Sequence, residues 1–254
     1  MIDRESRARE VMQEINSRMR PERAIDREIA LSKERYGRLR PSRFELNHDQ
    51  KSLYADLDQW RVMRPRDIIE YRYRGNEHRY HRDLTPMAKF GLLRIRQLRD
   101  KSCLIHRADT RYRFRDEQHD ADVYALYERR KREILAAHCS VASVKTEAQL
   151  QSEFWRKIGK RENQTNVPLR KAVAKELNLP VIDGKVMFPD VRLEVDIPEG
   201  RKWKRETVDL ELATSSGSYY PGAVDAKRAA GFEVSGPNSS LGGTPFGVYQ
   251  GFSR

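Results

Sequence analysis

The sequence predicts an α+β protein: N-terminal helices and a winged helix-turn-helix, followed by a small α/β domain. Three observations predict it. Between residues 49 and 126 the apolar periods run helix, helix, helix, then short alternating strands separated by a charged stretch. After Pro180 the spacing of apolar residues drops from three or four to two, the signature of half-buried strands. Positive charge is concentrated early: residues 1–140 carry 33 basic and 24 acidic side chains, whereas residues 141–254 carry 17 and 14. The first part is therefore expected to meet a polyanion.

In chain order, Ala8, Val11, Met12, Ile15 and Met19 recur at helical spacing, interrupted at Pro21 and resumed at Ile25 and Ile29. This narrow stripe on a charged rod suits a packing or dimerisation arm, which makes a homodimer one expected assembly. Residues 1–48 are read as this arm and a connector. Leu53, Leu57 and Trp60 form one helical face, and Arg66 to Arg74 a second helix stopped at Gly75. Asn76 is placed to cap a third, with Tyr80 and Leu84 inward. Leu92 to Leu98 alternates as a strand, Asp122 to Tyr127 is the expected return strand, and Glu128 to Ala137 a closing helix. The winged helix-turn-helix is thus expected over 49–138.

Over 139–234 two amphipathic helices, Thr146 to Lys160 and Leu169 to Leu177, precede a hairpin. Val191, Leu193, Val195 and Ile197 make one strand, and Val208, Leu210 and Leu212 the other. Pro221 to Ala230 is a short helix, followed by a last strand at Phe232-Glu233-Val234. Residues 235–254 hold five Gly, two Pro and no acid, and are read as a flexible tail.

Composition excludes several classes. No run approaches the ~18 apolar residues of a spanning helix. The first residues, MIDRESRARE, lack the apolar core of a secretion signal. Two cysteines cannot build a disulfide scaffold. The expected setting is cytoplasmic, without a membrane partner.

If the third helix enters a DNA groove, its outward face is Arg79, Arg82 and Lys89, with His78 beside them. Arg66, Arg72 and Arg74 approach from the helix before, and Arg94, Arg96, Arg99 and Lys101 border the wing. Arg suits this role because its planar fork matches phosphate, and 36 of the 50 basic residues are Arg. Double-stranded DNA is the expected partner. Pro86 conflicts with an uninterrupted third helix, because it removes a hydrogen bond.

The second half carries its own constellation. Pro189-Asp190 opens one strand, and Asp209-Leu210-Glu211 lies on the next. With the tip at Glu199-Gly200, Asp190 is expected opposite position 209 or 210. Alternation puts Asp209 and Glu211 on one face. Converging carboxylates of this kind suit Mg²⁺, an oxygen-seeking ion that can activate water against a phosphodiester.

An acid after Pro, an acid-x-acid on the next strand and a following helix together resemble the PD-(D/E)XK nuclease core. With WRVMRPRDIIEYRYRG (60–75), FPDVRLEVDI (188–197) and VDLELATSSGSYYPGAVDAKRAAGF (208–232), the chain also resembles the replication-relaxation family of plasmid and mobile-element proteins. The resemblance spans about residues 50–234. It implies a restriction-endonuclease-like second domain with Asp190 and Glu211 as metal ligands. The motif's lysine slot holds Ala213. Either Asp209 is the acid and Glu211 fills that slot, or Lys227 supplies the ammonium from the next helix. Three readings stay open: a DNA-binding protein with an inactive nuclease-like domain and no cofactor; an endonuclease using Asp190, Asp209, Glu211 and Lys227 with Mg²⁺; and a protein-interaction scaffold. Adjacent Tyr219 and Tyr220 add a nicking nucleophile as an outside alternative.

Overall fold

The architecture comes from a computed structural model, which describes residues 45–98, 102–109, 117–200, 202–213 and 223–235. The chain is a mixed α+β protein that divides into two compact units between residues 112 and 113. The N-terminal arm, Arg99, Lys101, Tyr219, Tyr220 and the Gly-rich tail lie outside the described residues.

In the first unit Asn47 starts helix α1 (His48–Trp60) through a capping box. The Gln50 N–H donates to Asn47 Oδ1 at 2.9 Å, and the Asn47 N–H donates back to Gln50 Oε1 at 3.0 Å. Strand β1 (Val62–Met63) follows, then α2 (Pro65–Asp67), begun by proline at its first position and continued as a π-helical turn over Ile68–Arg72. Arg74 and Gly75 both take positive φ, 53° and 78°, and so end that turn. Helix α3 (Glu77–Lys89) starts where Asn76 accepts the Arg79 N–H at 3.0 Å, as its sequence predicts. It runs through Pro86 without ending.

Strands β2 (Leu93–Gln97) and β3 (Cys103–Arg107) complete an antiparallel sheet of order β1-β3-β2. The core between helices and sheet is Leu53, Leu57, Met63, Ile68, Met87, Leu104 and Ile105, all essentially inaccessible. A buried hydrogen bond from the Gln50 side chain to the Asp83 carbonyl, 3.0 Å, ties α1 to α3.

The expected return strand at Asp122 to Tyr127 is a correction. Those residues are helical, and the strand beside β2 is Cys103–Arg107. Asp122 to Tyr127 sits within α4 (Glu117–Ala136), whose buried positions Ala121, Tyr124, Val123, Tyr127, Arg130 and Ile134 follow steps of three and four. Six apolar-rich residues satisfy either period, and only the longer stretch decides. Helix α4 also belongs to the second unit, where it packs on that unit's sheet, rather than closing the first.

The second unit continues with β4 (Ser140–Thr146), α5 (Glu147–Ile158), a 3₁₀ turn (Arg161–Thr165), α6 (Val167–Glu176) and the small pair β5 (Val181–Ile182) and β6 (Lys185–Val186). The long strands β7 (Val191–Glu199) and β8 (Lys202–Leu212) follow, then α7 (Ala223–Ala229) and β9 (Glu233–Ser235). The sheet order is β4-β7-β8-β9, antiparallel except for the β8–β9 pair. Helices α5 and α6 close a separate cluster of Phe154, Ile158, Val173, Ala174 and Leu179. Strand β4 was not legible in sequence because a bulge between Val141 and Ser143 breaks its alternation.

Candidate functional site

Each unit presents one arrangement of interest. In the first, the arginines expected to read DNA do not form a uniform exposed set. Arg72 is partly buried and held inside the unit, paired with Asp56 and donating to the Asp49 carbonyl at 3.0 Å. Arg79 meets the Asp49 carboxylate at 2.7 Å, and Arg82 reaches the same oxygen at 3.6 Å while bridging Asp83 at 2.9 Å. Asp49, in the first turn of α1, therefore lies among Arg79, Arg82 and Arg72. The hydrogen bond from Arg79, joined by the charges of Arg79, Arg82 and Arg72, outweighs the opposing effect of desolvation and holds its carboxyl below the usual carboxylate range.

Arg66 is largely solvent-exposed, 3.4 Å from Asp67. Arg74, His78, Lys89, Arg94 and Arg96 are exposed, the last two at alternate positions on one face of β2 while Leu93 points inward. Arg99 and Lys101 lie outside the described residues. Arg107, which lay in the basic stretch between the expected strands, is held by Asp109 (2.6 Å), by Asp58 and by the face of Tyr54 at 4.2 Å.

In the second unit the hairpin register is Val191↔Leu210 and Arg192↔Asp209, with a two-residue connection between Glu199 and Lys202. Continuing the ladder brings Asp190 opposite Glu211, one residue beyond the expected position, because Glu199 still pairs with Lys202 and the turn lies one residue later than the expected Glu199-Gly200 tip. Gly200 takes φ 61° there. Asp190 and Glu211 are both buried, at 7% and 1% exposure. Asp190 Oδ2 accepts the Leu212 N–H at 2.8 Å, and its other oxygen is 3.2 Å from His119 Nε2 of α4. Glu211 pairs with Lys227 of α7, the lysine the sequence nominated.

Glu147 opens α5 beside them. Although the residue keeps an exposed edge, protein packed around its carboxyl, and then the Asp190 charge, push its pKa above the ordinary range, while Lys227 and His119 oppose the shift. His119 and Glu147 were missed in the sequence. His119 is 71 residues from Asp190 and carries no local signal, while Glu147 reads simply as a first-turn acid favoured by the helix dipole.

Asp209 stands apart in chemistry. Both its oxygens are taken by Arg192, 2.7 Å on Nε and 2.7 Å on Nη2, and the same guanidinium donates to the Leu177 and Asn178 carbonyls at 2.5 and 2.9 Å. That side chain is spent fastening α6 to the sheet. Asp190 and Glu211 are carboxylates of the kind Mg²⁺ selects, lying at adjacent cross-strand positions; Asp209, doubly held, does not fit as a third ligand. Among the described residues no group of three or more His, Cys, Asp or Glu is arranged to hold a metal ion. No helix among them is long and apolar enough to cross a membrane. Compared with protein families, curated proteins and solved structures, the chain has no match.

Proposed function

We propose that this chain is a duplex-DNA-binding protein of plasmid or mobile-element maintenance, with a winged helix-turn-helix first unit and a nuclease-like second unit. The observation that carries the reading is the first unit's order: helix, strand, helix, helix, strand, strand, with β3 lying between β1 and β2. In that arrangement α3 is the groove-entering helix and β2–β3 the wing. Arg79 and Arg82 at the N-terminal half of α3, Arg74 just before it, Lys89 at its end and Arg94 and Arg96 on the wing make one set of phosphate and base contacts. Six phosphate contacts would lower affinity by roughly 10³-fold between 50 and 200 mM salt.

In the second unit, the αβ order with β8 and β9 parallel across α7 supports the nuclease-like reading. Asp190 and Glu211 correspond to the acids of the resemblance, and Lys227 to the lysine moved from position 213. We read these acids as held structurally: Asp190 by His119 and the Leu212 N–H, Glu211 by Lys227. A second reading, endonuclease activity, is favoured by the neighbouring Asp190, Glu211 and Lys227 themselves. There Asp190 and Glu211 would hold Mg²⁺, which supplies an activated water, and the Lys227 ammonium would balance charge on the scissile phosphate.

Supercoiled plasmid incubated with the full chain, with Mg²⁺ or with EDTA, separates these. A salt-sensitive mobility shift without cleavage, unchanged by EDTA and by Asp190→Ala, is the expected result. Metal-dependent nicking that Asp190→Ala abolishes would replace it with the endonuclease reading. Absence of any shift at low salt, with random and plasmid DNA alike, would sink both in favour of a protein-interaction scaffold.

A further inference from the structure

The β7–β8 hairpin extends past its neighbours. Strand β4 accompanies β7 only as far as the Ser140↔Asp196 pair, and β9 accompanies β8 only from Leu210. Between those limits the pairs Ile197↔Lys204, Pro198↔Trp203 and Glu199↔Lys202 form a two-stranded ribbon. The chain there reads Arg201-Lys202-Trp203-Lys204-Arg205. Trp203 is 64% exposed, the most exposed large apolar side chain among the described residues, whereas Trp60 is at 5% and Trp155 at 37%.

We propose that the outer end of this ribbon is a contact for single-stranded DNA, in which Trp203 stacks on an unpaired base and Arg205, on the same face, meets the adjoining phosphate. Alternation puts Arg205 on the face of Trp203, and Lys202 and Lys204 on the other face of the ribbon, where they add to the local positive field. A backbone whose base lies on the indole meets the Arg205 guanidinium two residues further along the same face of β8. Cations on an exposed edge strand also guard against edge-to-edge pairing, which accounts for the lysines but leaves the indole unexplained.

Three alternatives fit less well. A protein hot spot centres its aromatic residue among several apolar side chains, whereas Trp203 has Pro198 across the ladder and the exposed cations Lys202, Lys204 and Arg205 along its own strand. Bases in a duplex are already stacked, and separating them costs energy that an unpaired base does not require. A membrane surface calls for an apolar face, and the ribbon offers a single indole. The ion pairs at the site, Lys204–Glu206 at 2.7 Å and Arg205–Asp196 at 2.8 Å, join exposed cations to partly buried carboxylates, and an exposed cation in such a pair is cheaply exchanged onto phosphate. No residue of the first unit enters this proposal, so it stands independently of the helix-turn-helix.

The test is titration of the full chain with short oligo(dT), read by tryptophan fluorescence and by direct affinity, for wild type, Trp203→Ala and Trp203→Phe. Wild type is expected to show quenching that Trp203→Ala lacks. Affinity for oligo(dT) should fall about five- to hundredfold in Trp203→Ala and less in Trp203→Phe. Blunt duplex, measured alongside, should bind the three proteins equally. Equal oligo(dT) affinity for wild type and Trp203→Ala, or no oligo(dT) binding by wild type, overturns the proposal. Loss of duplex binding with oligo(dT) quenching retained would instead count against the helix-turn-helix alone.

Discussion

Arg192 shows how much one side chain can carry. Its guanidinium is nearly inaccessible and joins Asp209, the α6 C-terminus and two adjacent strands. Truncation leaves a largely buried carboxylate uncompensated. Arg192→Ala should therefore cost about 3–5 kcal/mol in chemical denaturation. Asp49 acts in the opposite sense toward function. Its charge sits against Arg79 and Arg82, where phosphate would bind. Removing it in Asp49→Asn should strengthen duplex binding by about fivefold, the scale of one charge interaction near 4 Å in water, as read in filter binding at low salt. Tyr73 supplies a pH test. Burial, and next the Asp83 carboxylate, push its phenol up to about 12 from 10.0. A raised acid pKa favours the protonated folded state. Its stabilisation is complete below pH 10 and disappears as pH rises toward 12. Melting of the first unit should drop across that window, and Tyr73→Phe should remove that part of the drop.

At the scale of elements, the capped start of α3 is legible in the sequence, whereas the start of α4 and the partner of β2 are not. Asn76 lies one residue before α3, and the cap forms as the sequence implies. Asn76→Ala should destabilise the first unit by about 1 kcal/mol, measurable as a shift in its denaturation midpoint, and should weaken duplex binding by loosening the α3 N-terminus. Pro86 conflicts with an uninterrupted helix on sequence grounds, yet α3 continues through it. Its missing N–H costs one bond, which the buried Met87, Leu84 and Tyr80 around it outweigh. In the hairpin, alternation identified both strands, but the register differs by one residue because Glu199 stays in the ladder and the turn begins at Gly200, where φ is 61°. That single residue decides that Asp190 faces Glu211.

For the whole molecule, the division after residue 112 gives each unit its own core. Calorimetry should resolve two unfolding transitions, one moved by Asn76→Ala and the other by Arg192→Ala. A single transition moved by both would show one cooperative body. Sequence alone was enough for the α+β class, the Asn76 cap, the two long strands of the hairpin and the concentration of positive charge in the first half. Each of these is set by neighbours within a few residues, or by composition. It took the folded chain to show that α4 joins the second unit, that a bulged β4 borders β7, that Asp209 is consumed by Arg192, and that His119 and Lys227 meet Asp190 and Glu211. Those outcomes depend on side chains from 16 to 71 residues apart being packed together. Local periodicity carries no information about such pairs.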